Sequence, residues 1–179
     1  HLFWGDERCV PAGDPGSNYR MADEALIARV PIPPENVHRI RGELAPEAAA
    51  RAYDNTLRDF FCGPYPRFDL VLLGLGADGH TASLFPGSPA LRGGDRERLA
   101  LAVTAVYEDR PAERVTLTPA AINTARHVLF LVSGSAKAQI VKAVLEDADL
   151  KQQFPAQRVQ PGAGALTWLL DENAGSLLH

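Results

Sequence analysis

The chain has 179 residues, of which 46% are hydrophobic and 22% are charged, and its formal net charge at pH 7 is -4. This composition is typical of an ordinary globular protein with one core, and it lacks the basic excess of a nucleic-acid surface. The sequence shows no signal-peptide pattern and no run of about 18 apolar residues that would span a membrane. We therefore expect a cytoplasmic protein without nucleic-acid or membrane partners, and a monomer is the default expectation.

The cysteine and histidine positions do not predict a metal site or a disulfide framework. Cys9 and Cys62 are too few for such a framework and lack metal-ligand spacing, so we interpret them as reduced structural thiols. The five histidines show no ligand spacing either. The sequence therefore predicts no metal and no other cofactor.

The first residues of the chain favour a start inside a folded domain. The chain opens on the apolar, strand-like segment His1–Trp4, and its one methionine is Met21. We expect residues 1–179 to form a single α/β catalytic domain that is truncated at its amino terminus.

Hydrophobic patterns and turn residues predict strands that alternate with helices along the chain. The longest predicted helix begins near Pro46 and ends before Gly63, with one apolar face at helical spacing. That face consists of Ala49, Tyr53, Leu57 and Phe60. The predicted strands are a strand end at Leu2–Trp4 and strands over Phe68–Leu75, Arg98–Val106, Arg114–Thr118, His127–Val132 and Leu166–Leu170. Two further helices are predicted from their caps, one capped by Ser17 or Asn18 and running to about Arg29 and one with Thr118 as its N-cap. A last helix is predicted after Ser135, with a core face of Ile140, Val141, Val144 and Leu145.

This order of elements predicts an α/β fold. The segment Phe68–Leu75 is almost uninterruptedly apolar, which is typical of a strand buried on both faces in a parallel sheet. We therefore expect a mainly parallel, Rossmann-like sheet in a three-layer arrangement with helices on both faces. In such sheets ligands bind beyond the carboxyl ends of the strands, so the residues that follow each strand are the candidates for a site.

The glycine-rich turn from Gly74 to Gly79 has the spacing Gly-x-Gly-x-x-Gly and directly follows a predicted strand. This combination matches the dinucleotide-binding pattern. A dinucleotide turn must open a full-length helix, whereas Pro86 and Pro89 would break one after about two turns. The acidic residue expected about 20 positions on would be Asp95, and no strand is predicted there to carry it. The surroundings therefore argue against nicotinamide binding.

Asp78 and His80 lie in the same turn and form a candidate acid–base pair. Histidine is the side chain best suited to act as a general base near neutral pH. Asp78 then either orients the imidazole of His80 or caps the short helix that follows, and the sequence leaves both interpretations open. The glycines Gly76 and Gly79 would allow the backbone to approach a ligand closely.

The segment Gly74–Gly87, with its sequence GLGADGHTASLFPG, resembles the hallmark segment of the 6-phosphogluconolactonases, which are relatives of glucosamine-6-phosphate deaminase. The resemblance extends over nearly the whole chain. Further matching segments are Phe3–Arg8, Ser17–Tyr19, Arg114–Thr118 and Gly134–Ala138.

Three cationic residues are candidates for binding a substrate phosphate. Lys137 would lie in the first turn of a helix if Ser135 caps it, where a bound anion would be favoured; the alternative is a solvated surface lysine. For Arg114, the alternative to phosphate binding is an exposed charge at the end of a strand. The resemblance implies phosphate binding for both, and Arg8 is expected either to bind phosphate or the carboxyl group of the product, or to form a salt bridge within Asp6-Glu7-Arg8. The remaining aromatic and histidine candidates are interpreted as structural: Trp4, His38, His127 and Trp168.

The resemblance implies hydrolysis of 6-phospho-D-glucono-1,5-lactone to 6-phosphogluconate in the oxidative pentose phosphate pathway, with a sugar-phosphate lactone as the small-molecule partner. In that mechanism His80 activates water and Asp78 orients His80. Two alternatives stay open, a glucosamine-6-phosphate deaminase or isomerase and an inactive sugar-phosphate-binding fragment. Family deaminases end the histidine segment with an Asn-Glu-Pro-Gly-like sequence, whereas this chain has Ser83–Gly87, which favours the lactonase.

Overall fold

The structure is a computed structural model that describes residues 1–91, 97–105, 111–147 and 153–179. Its strands form one two-stranded and two three-stranded sheets around a shared hydrophobic core. The predicted ribose-binding Asp95 and the predicted strand end at Val106 lie outside the described residues. The strands are β1 (Leu2–Phe3), β2 (Asp6–Arg8), β3 (Val37–His38), β4 (Val71–Leu73), β5 (Ala100–Thr104), β6 (Glu113–Leu117), β7 (His127–Val132) and β8 (Ala165–Leu170), and the helices are α1 (Asn18–Ala25), α2 (Pro46–Phe61), α3 (Pro119–Ile122) and α4 (Ala138–Leu145).

The prediction of a mainly parallel sheet is confirmed only in part. β4, β7 and β8 pair in parallel in that order, and β1 pairs in parallel with β3. In the third sheet, by contrast, β6 lies between β2 and β5 and is antiparallel to both. Antiparallel pairing is compatible with this arrangement, because antiparallel strands need no helical crossover. The fold is therefore a mixed α/β fold rather than one uniform parallel sheet.

The expectation that the Phe68–Leu75 strand is buried on both faces is wrong. In β4, Val71 and Leu73 are buried, whereas the side chain of Leu72 is 57% exposed. The strand register places Leu72 beside Leu129 of β7, and the same face carries Leu131 and Leu169, both exposed. Within the described part of the chain, this sheet therefore has one packed face and one apolar face open to solvent, and the expected helices on both faces are not seen there.

The sequence predicted the helices better than the sheets. Ser17 caps α1 by accepting a hydrogen bond from the Arg20 backbone N–H at 3.2 Å, although the helix ends at Ala25 and a 3-10 turn continues to Arg29. On α2, Phe60 of the predicted core face is 38% exposed. Its other three predicted core residues are buried: Ala49, Tyr53 and Leu57.

The region around Lys137 differs from its prediction. Ser135 does not cap a helix through its side chain; it begins a 3-10 turn over Ser135–Lys137, and α4 starts directly after Lys137. At the end of α4, Leu145 is 40% exposed rather than part of the core face. Among the helices that the structure describes, none combines the length and the apolar character that crossing a bilayer requires.

Candidate active site

A polar cavity of about 400 Å³ opens where the carboxyl ends of β2 and β4 meet. The Gly74–Gly76 turn lines it, and charged side chains reach it from three separate segments, which are β2, β6 and the 3-10 turn that ends at Lys137. Three of these side chains are cationic and one is a carboxylate, so the cavity suits an anionic ligand despite the net negative charge of the chain. The polar and charged side chains that line it are those of Asp6, Arg8, Asn18, His80, Thr81, Arg114 and Lys137.

The turn that carries His80 is closed by its own backbone. The N–H of Gly76 donates to the carbonyl oxygen of His80 at 2.8 Å, and the N–H of Gly79 donates to that of Gly76 at 3.0 Å. The hydroxyl of Thr81 donates to the Gly74 carbonyl at 2.8 Å. No full-length helix follows: in the described residues the turn leads to an isolated bridge between Thr81 and Leu84, which agrees with the argument against dinucleotide binding.

Two glycines of this turn are required by packing. A Cβ atom on Gly76 would overlap the imidazole ring of His80, so only glycine lets the ring lie over the turn. Gly79 has a φ of +78°, and a Cβ there would overlap the ring of Phe154. Gly76 lines the cavity, whereas Gly79 is buried behind it. Their predicted contact with a ligand stays a prediction, and the structure supplies this second reason for both glycines.

Asp78 and His80 form a hydrogen-bonded pair. The Oδ1 atom of Asp78 lies 2.5 Å from Nδ1 of His80 and also accepts the backbone N–H of His80 at 3.2 Å. Partial burial raises the pKa of Asp78, but these hydrogen bonds outweigh it and lower the pKa below its ordinary value. An ionised carboxylate only accepts, so Nδ1 of His80 is the donor in this hydrogen bond. Of the two interpretations of Asp78, the geometry therefore favours the orienting one.

The opposite wall of the cavity is built by β2 and the start of α1. The Arg8 guanidinium donates to the Gly16 carbonyl at 2.5 Å, so the alternative of a salt bridge within Asp6-Glu7-Arg8 is not observed. Its buried Nε atom has no hydrogen-bond partner among the described residues. Burial raises the pKa of the Asp6 carboxyl, while the Ser83 hydroxyl at 2.7 Å and the nearby arginines oppose that rise.

Arg114 is buried, with 5% of its surface exposed, so the alternative of an exposed strand-end charge is wrong. The antiparallel register of β2 and β6 places it directly opposite Arg8. Like charges at directly opposed positions destabilise a strand pair unless something compensates for them. The Arg114 guanidinium also lies 5.9 Å from the ring centroid of Phe85. Both arginines line the cavity, and their charges lower the pKa of the Asp6 carboxyl against the effect of its burial.

Lys137 is also brought into this cavity, so it is not the solvated surface lysine of the alternative interpretation. Its Nζ atom donates to the Leu75 carbonyl oxygen at 2.7 Å, directly after β4. A main-chain carbonyl is neutral, so this contact leaves the full ammonium charge at the site. Lys137 therefore adds a third positive charge to those of Arg8 and Arg114.

The predicted site residues thus come together around the cavity, except that Asp78 and Gly79 are not among the residues that line it. Sequence reasoning did not assign roles to Asp6, Asn18 or Ser83, which are joined by side-chain hydrogen bonds at this wall. Asn18 follows the N-cap Ser17, and its sequence signals were its place beside the cap and its part in the family-like segment Ser17–Tyr19. In the described ranges, no three His, Cys, Asp or Glu side chains gather as a metal site.

A sequence model of the family described as glucosamine-6-phosphate isomerases/6-phosphogluconolactonase matches residues 1–168. The chain belongs to this family. Within it, the 6-phosphogluconolactonase of Synechocystis sp. is 46% identical to the chain, and the alignment covers 100% of the chain and 73% of that relative.

Solved structures agree with the family assignment. The solved structure of the 6-phosphogluconolactonase of Trypanosoma brucei superposes on this chain with a TM-score of 0.85 at 35% sequence identity. The match covers 99% of this chain and 73% of the Trypanosoma brucei chain. A monomeric glucosamine-6-phosphate deaminase has a TM-score of 0.78 at 24% identity and covers 98% of the chain and 73% of its own, a likeness that shows the shared fold alone.

Proposed function

We propose that the chain hydrolyses 6-phospho-D-glucono-1,5-lactone to 6-phosphogluconate in the oxidative pentose phosphate pathway. The observation that carries the proposal is the joint placement of an oriented histidine and three cationic side chains around one cavity. The curated relatives named 6-phosphogluconolactonase, at up to 46% identity over the whole chain, support the same substrate. The monomeric state and the cytoplasmic location expected from the sequence stay predictions.

Binding of the lactone rests on its phosphate group. Arg114 and Lys137 supply positive charge in the cavity to hold the phosphate, and Arg8, which pairs with Arg114 across the strands, would take the phosphate or the carboxylate of the product. Charge-assisted hydrogen bonds of this kind are roughly twice as strong as neutral ones. Holding the phosphate would place the reacting carbonyl carbon at a set distance from His80 and so reduce the entropic part of the barrier.

The chemical step requires a base and no side-chain nucleophile. Nε2 of His80 takes a proton from water while the water oxygen bonds to the lactone carbonyl carbon. The resulting oxyanion lies in a cavity lined by cations. As the bond between the carbonyl carbon and the ring oxygen breaks, the protonated Nε2 returns its proton to that oxygen. Asp78 holds the Nδ1–H throughout and stabilises the imidazolium that forms.

The two alternatives from the sequence have less support. The deaminase shares the fold with this chain. The chain differs from family deaminases in the segment Ser83–Gly87, and the first residue of that segment, Ser83, donates a hydrogen bond from its hydroxyl to the carboxylate of Asp6. An inactive sugar-phosphate-binding protein would need the cationic side chains of the cavity, whereas the hydrogen-bonded Asp78–His80 pair would add nothing to its binding of a sugar phosphate. No observation favours either alternative over lactone hydrolysis.

The direct test is the rate of lactone hydrolysis above the spontaneous rate, measured with a pH indicator. We expect His80→Ala to lower kcat by about 10²–10⁴-fold, because general base catalysis contributes that much. Binding of 6-phosphogluconate, measured by calorimetry, should survive in this variant. His127→Ala is the matched control, since His127 is exposed on β7 away from the cavity.

Each outcome separates one alternative. Full activity of His80→Ala would exclude His80 as the base. Binding of 6-phosphogluconate without any lactone hydrolysis by the unmodified chain would support the inactive binder. Ammonia release from glucosamine 6-phosphate, without acceleration of lactone hydrolysis, would support the deaminase.

A further inference from the structure

Glu7 is a buried carboxylate that the proposed chemistry does not use. It lies between Asp6 and Arg8 in β2, and its surface is 2% exposed. Because side chains alternate along a strand, Glu7 points away from the face that carries its two neighbours. A buried carboxylate is costly unless hydrogen bonds compensate for the loss of water.

Four hydrogen bonds supply that compensation. Oε1 accepts the backbone N–H of Arg8 at 2.8 Å and that of Asn18 at 2.6 Å. Oε2 accepts the Ser17 hydroxyl at 2.9 Å and the backbone N–H of Tyr19 at 2.7 Å. All four donors are neutral groups, and together they connect the carboxyl group at the end of β2 to the start of α1.

These contacts complete the amino-terminal end of α1. The first backbone N–H groups of a helix have no partner within the helix. Glu7 accepts two of them, and Ser17 accepts the N–H of Arg20 with its hydroxyl. The negative charge also lies at the positive end of the helix dipole, where it is favoured.

The segment held in this way supports the polar side chains of one cavity wall. The side-chain amide of Asn18 donates to the carbonyl oxygen of Asp6 at 3.0 Å and to its carboxylate at 3.2 Å. The Arg8 guanidinium donates to the carbonyl of Gly16, one residue before Ser17. Both Asn18 and Arg8 line the cavity, and both are connected to Glu7 through the main chain.

We propose that Glu7 is a positioning residue that fixes Arg8 and Asn18 for substrate binding. This inference rests on the proposed lactonase function. Glu7 touches no substrate, because its neighbours Arg8 and Asn18 line the cavity and it does not. Its effect therefore falls on affinity, whereas the Asp78–His80 pair on the other wall keeps its own local hydrogen bonds.

The test separates KM from kcat in Glu7→Gln. A carboxamide keeps the size of the side chain, but its NH₂ group faces an N–H or O–H donor and cannot accept from it. We expect KM for the lactone to rise by about 10-fold or more, because small misplacements of binding groups are costly, with kcat within about threefold. The dissociation constant of 6-phosphogluconate should rise by a similar factor.

Asp54→Asn is the matched control. Asp54 is another buried carboxylate that accepts backbone N–H groups, those of Leu99 at 2.6 Å and Ala100 at 3.4 Å, and it lies away from the cavity. This variant should lower Tm without changing KM. An increase in KM no larger for Glu7→Gln than for Asp54→Asn would show that Glu7 is only structural and would overturn the inference.

A second variant covers the case in which Glu7→Gln does not fold. Glu7→Asp is a carboxylate on a shorter side chain that cannot reach all four donors, and we expect its KM to lie above that of the unmodified chain. An unchanged KM for Glu7→Asp would overturn the inference in that case. If the unmodified chain hydrolyses no lactone, the proposed function fails and this inference fails with it. If the unmodified chain is active and Glu7→Gln has the same KM, only the inference about Glu7 is rejected.

Discussion

The two walls of the cavity are built in different ways. The wall that carries His80 is a single turn after β4, and the hydrogen bonds that close this turn and orient His80 join residues that are close in sequence. The wall that carries Arg8 is held by Glu7, whose carboxylate joins β2 to α1 across 10 to 12 residues, and by the pairing of β2 with β6 more than 100 residues away.

This difference separates the two tasks of the proposed enzyme. The turn places a base and its orienting carboxylate, which need only each other and a tight backbone. The opposite wall gathers positive charge from distant segments, which strand pairing and a buried carboxylate must hold against electrostatic repulsion. Chemistry and binding should therefore respond to different substitutions.

The largest effect is expected from a change to the turn. Gly76→Ala places a methyl group where the His80 ring lies, so the ring must move. We expect kcat to fall by about 10²-fold or more, with much less change in the affinity for 6-phosphogluconate. Steady-state kinetics and calorimetry measure the two quantities.

Gly162→Ala is the control for this substitution, because its added Cβ would meet none of the described residues beyond its chain neighbours within 4 Å, and Gly162 does not line the cavity. An unchanged kcat in Gly76→Ala would contradict the described position of the His80 ring.

A smaller effect, on binding, is expected from the opposite wall. Arg114→Met keeps an unbranched apolar stem and removes the charge that faces Arg8. We expect KM to rise by about 10- to 100-fold, since hydrogen bonds to charged groups contribute about 1.5–3 kcal/mol. Inorganic phosphate should raise the Tm of the unmodified chain through binding to the folded state, and it should raise the Tm of this variant much less. Equal phosphate-induced shifts in the two proteins would show that the anion binds elsewhere.

The smallest effect concerns the pH dependence of stability at Asp6. Burial raises the pKa of Asp6 in the folded state above its ordinary value of 3.8. In that window Asp6 therefore binds more protons in the folded state than in the unfolded state, so the contribution of Asp6 to the free energy of unfolding decreases as the pH rises from 3.8 through the raised pKa. Asp6→Asn does not titrate, and its free energy of unfolding should gain on that of the unmodified chain over the same window. Urea unfolding at a series of pH values measures this difference, and a difference of opposite slope would contradict the raised pKa.

Sequence reasoning identified the parts of the site that depend on local chemistry. The Asp78–His80 pair follows from two residues in one glycine-rich turn, and the turn has the expected place after a strand. The burial of Arg114 did not follow from its alternation with Val115, because burial depends on which strands flank β6. The role of Glu7 was equally hidden, since nothing in the sequence shows which backbone N–H groups a carboxylate will meet.

The fold shows the same limit. The apolar run around β4 indicated a strand but not how its two faces are covered, and Leu72 is exposed. Alternating strands and helices indicated the α/β class, whereas the antiparallel order β2-β6-β5 depends on long-range pairing.

Lys137 and Arg8 each donate a hydrogen bond to a neutral carbonyl, those of Leu75 and Gly16. Such a bond orients a cation without cancelling its field, so the cavity is a positive region on a chain whose net charge is -4. A phosphorylated substrate is then drawn toward the cavity while the rest of the surface repels it, and this attraction weakens over a Debye length of about 8 Å at physiological ionic strength. The rate of substrate capture should accordingly decline with added salt, and turnover of bound substrate should not.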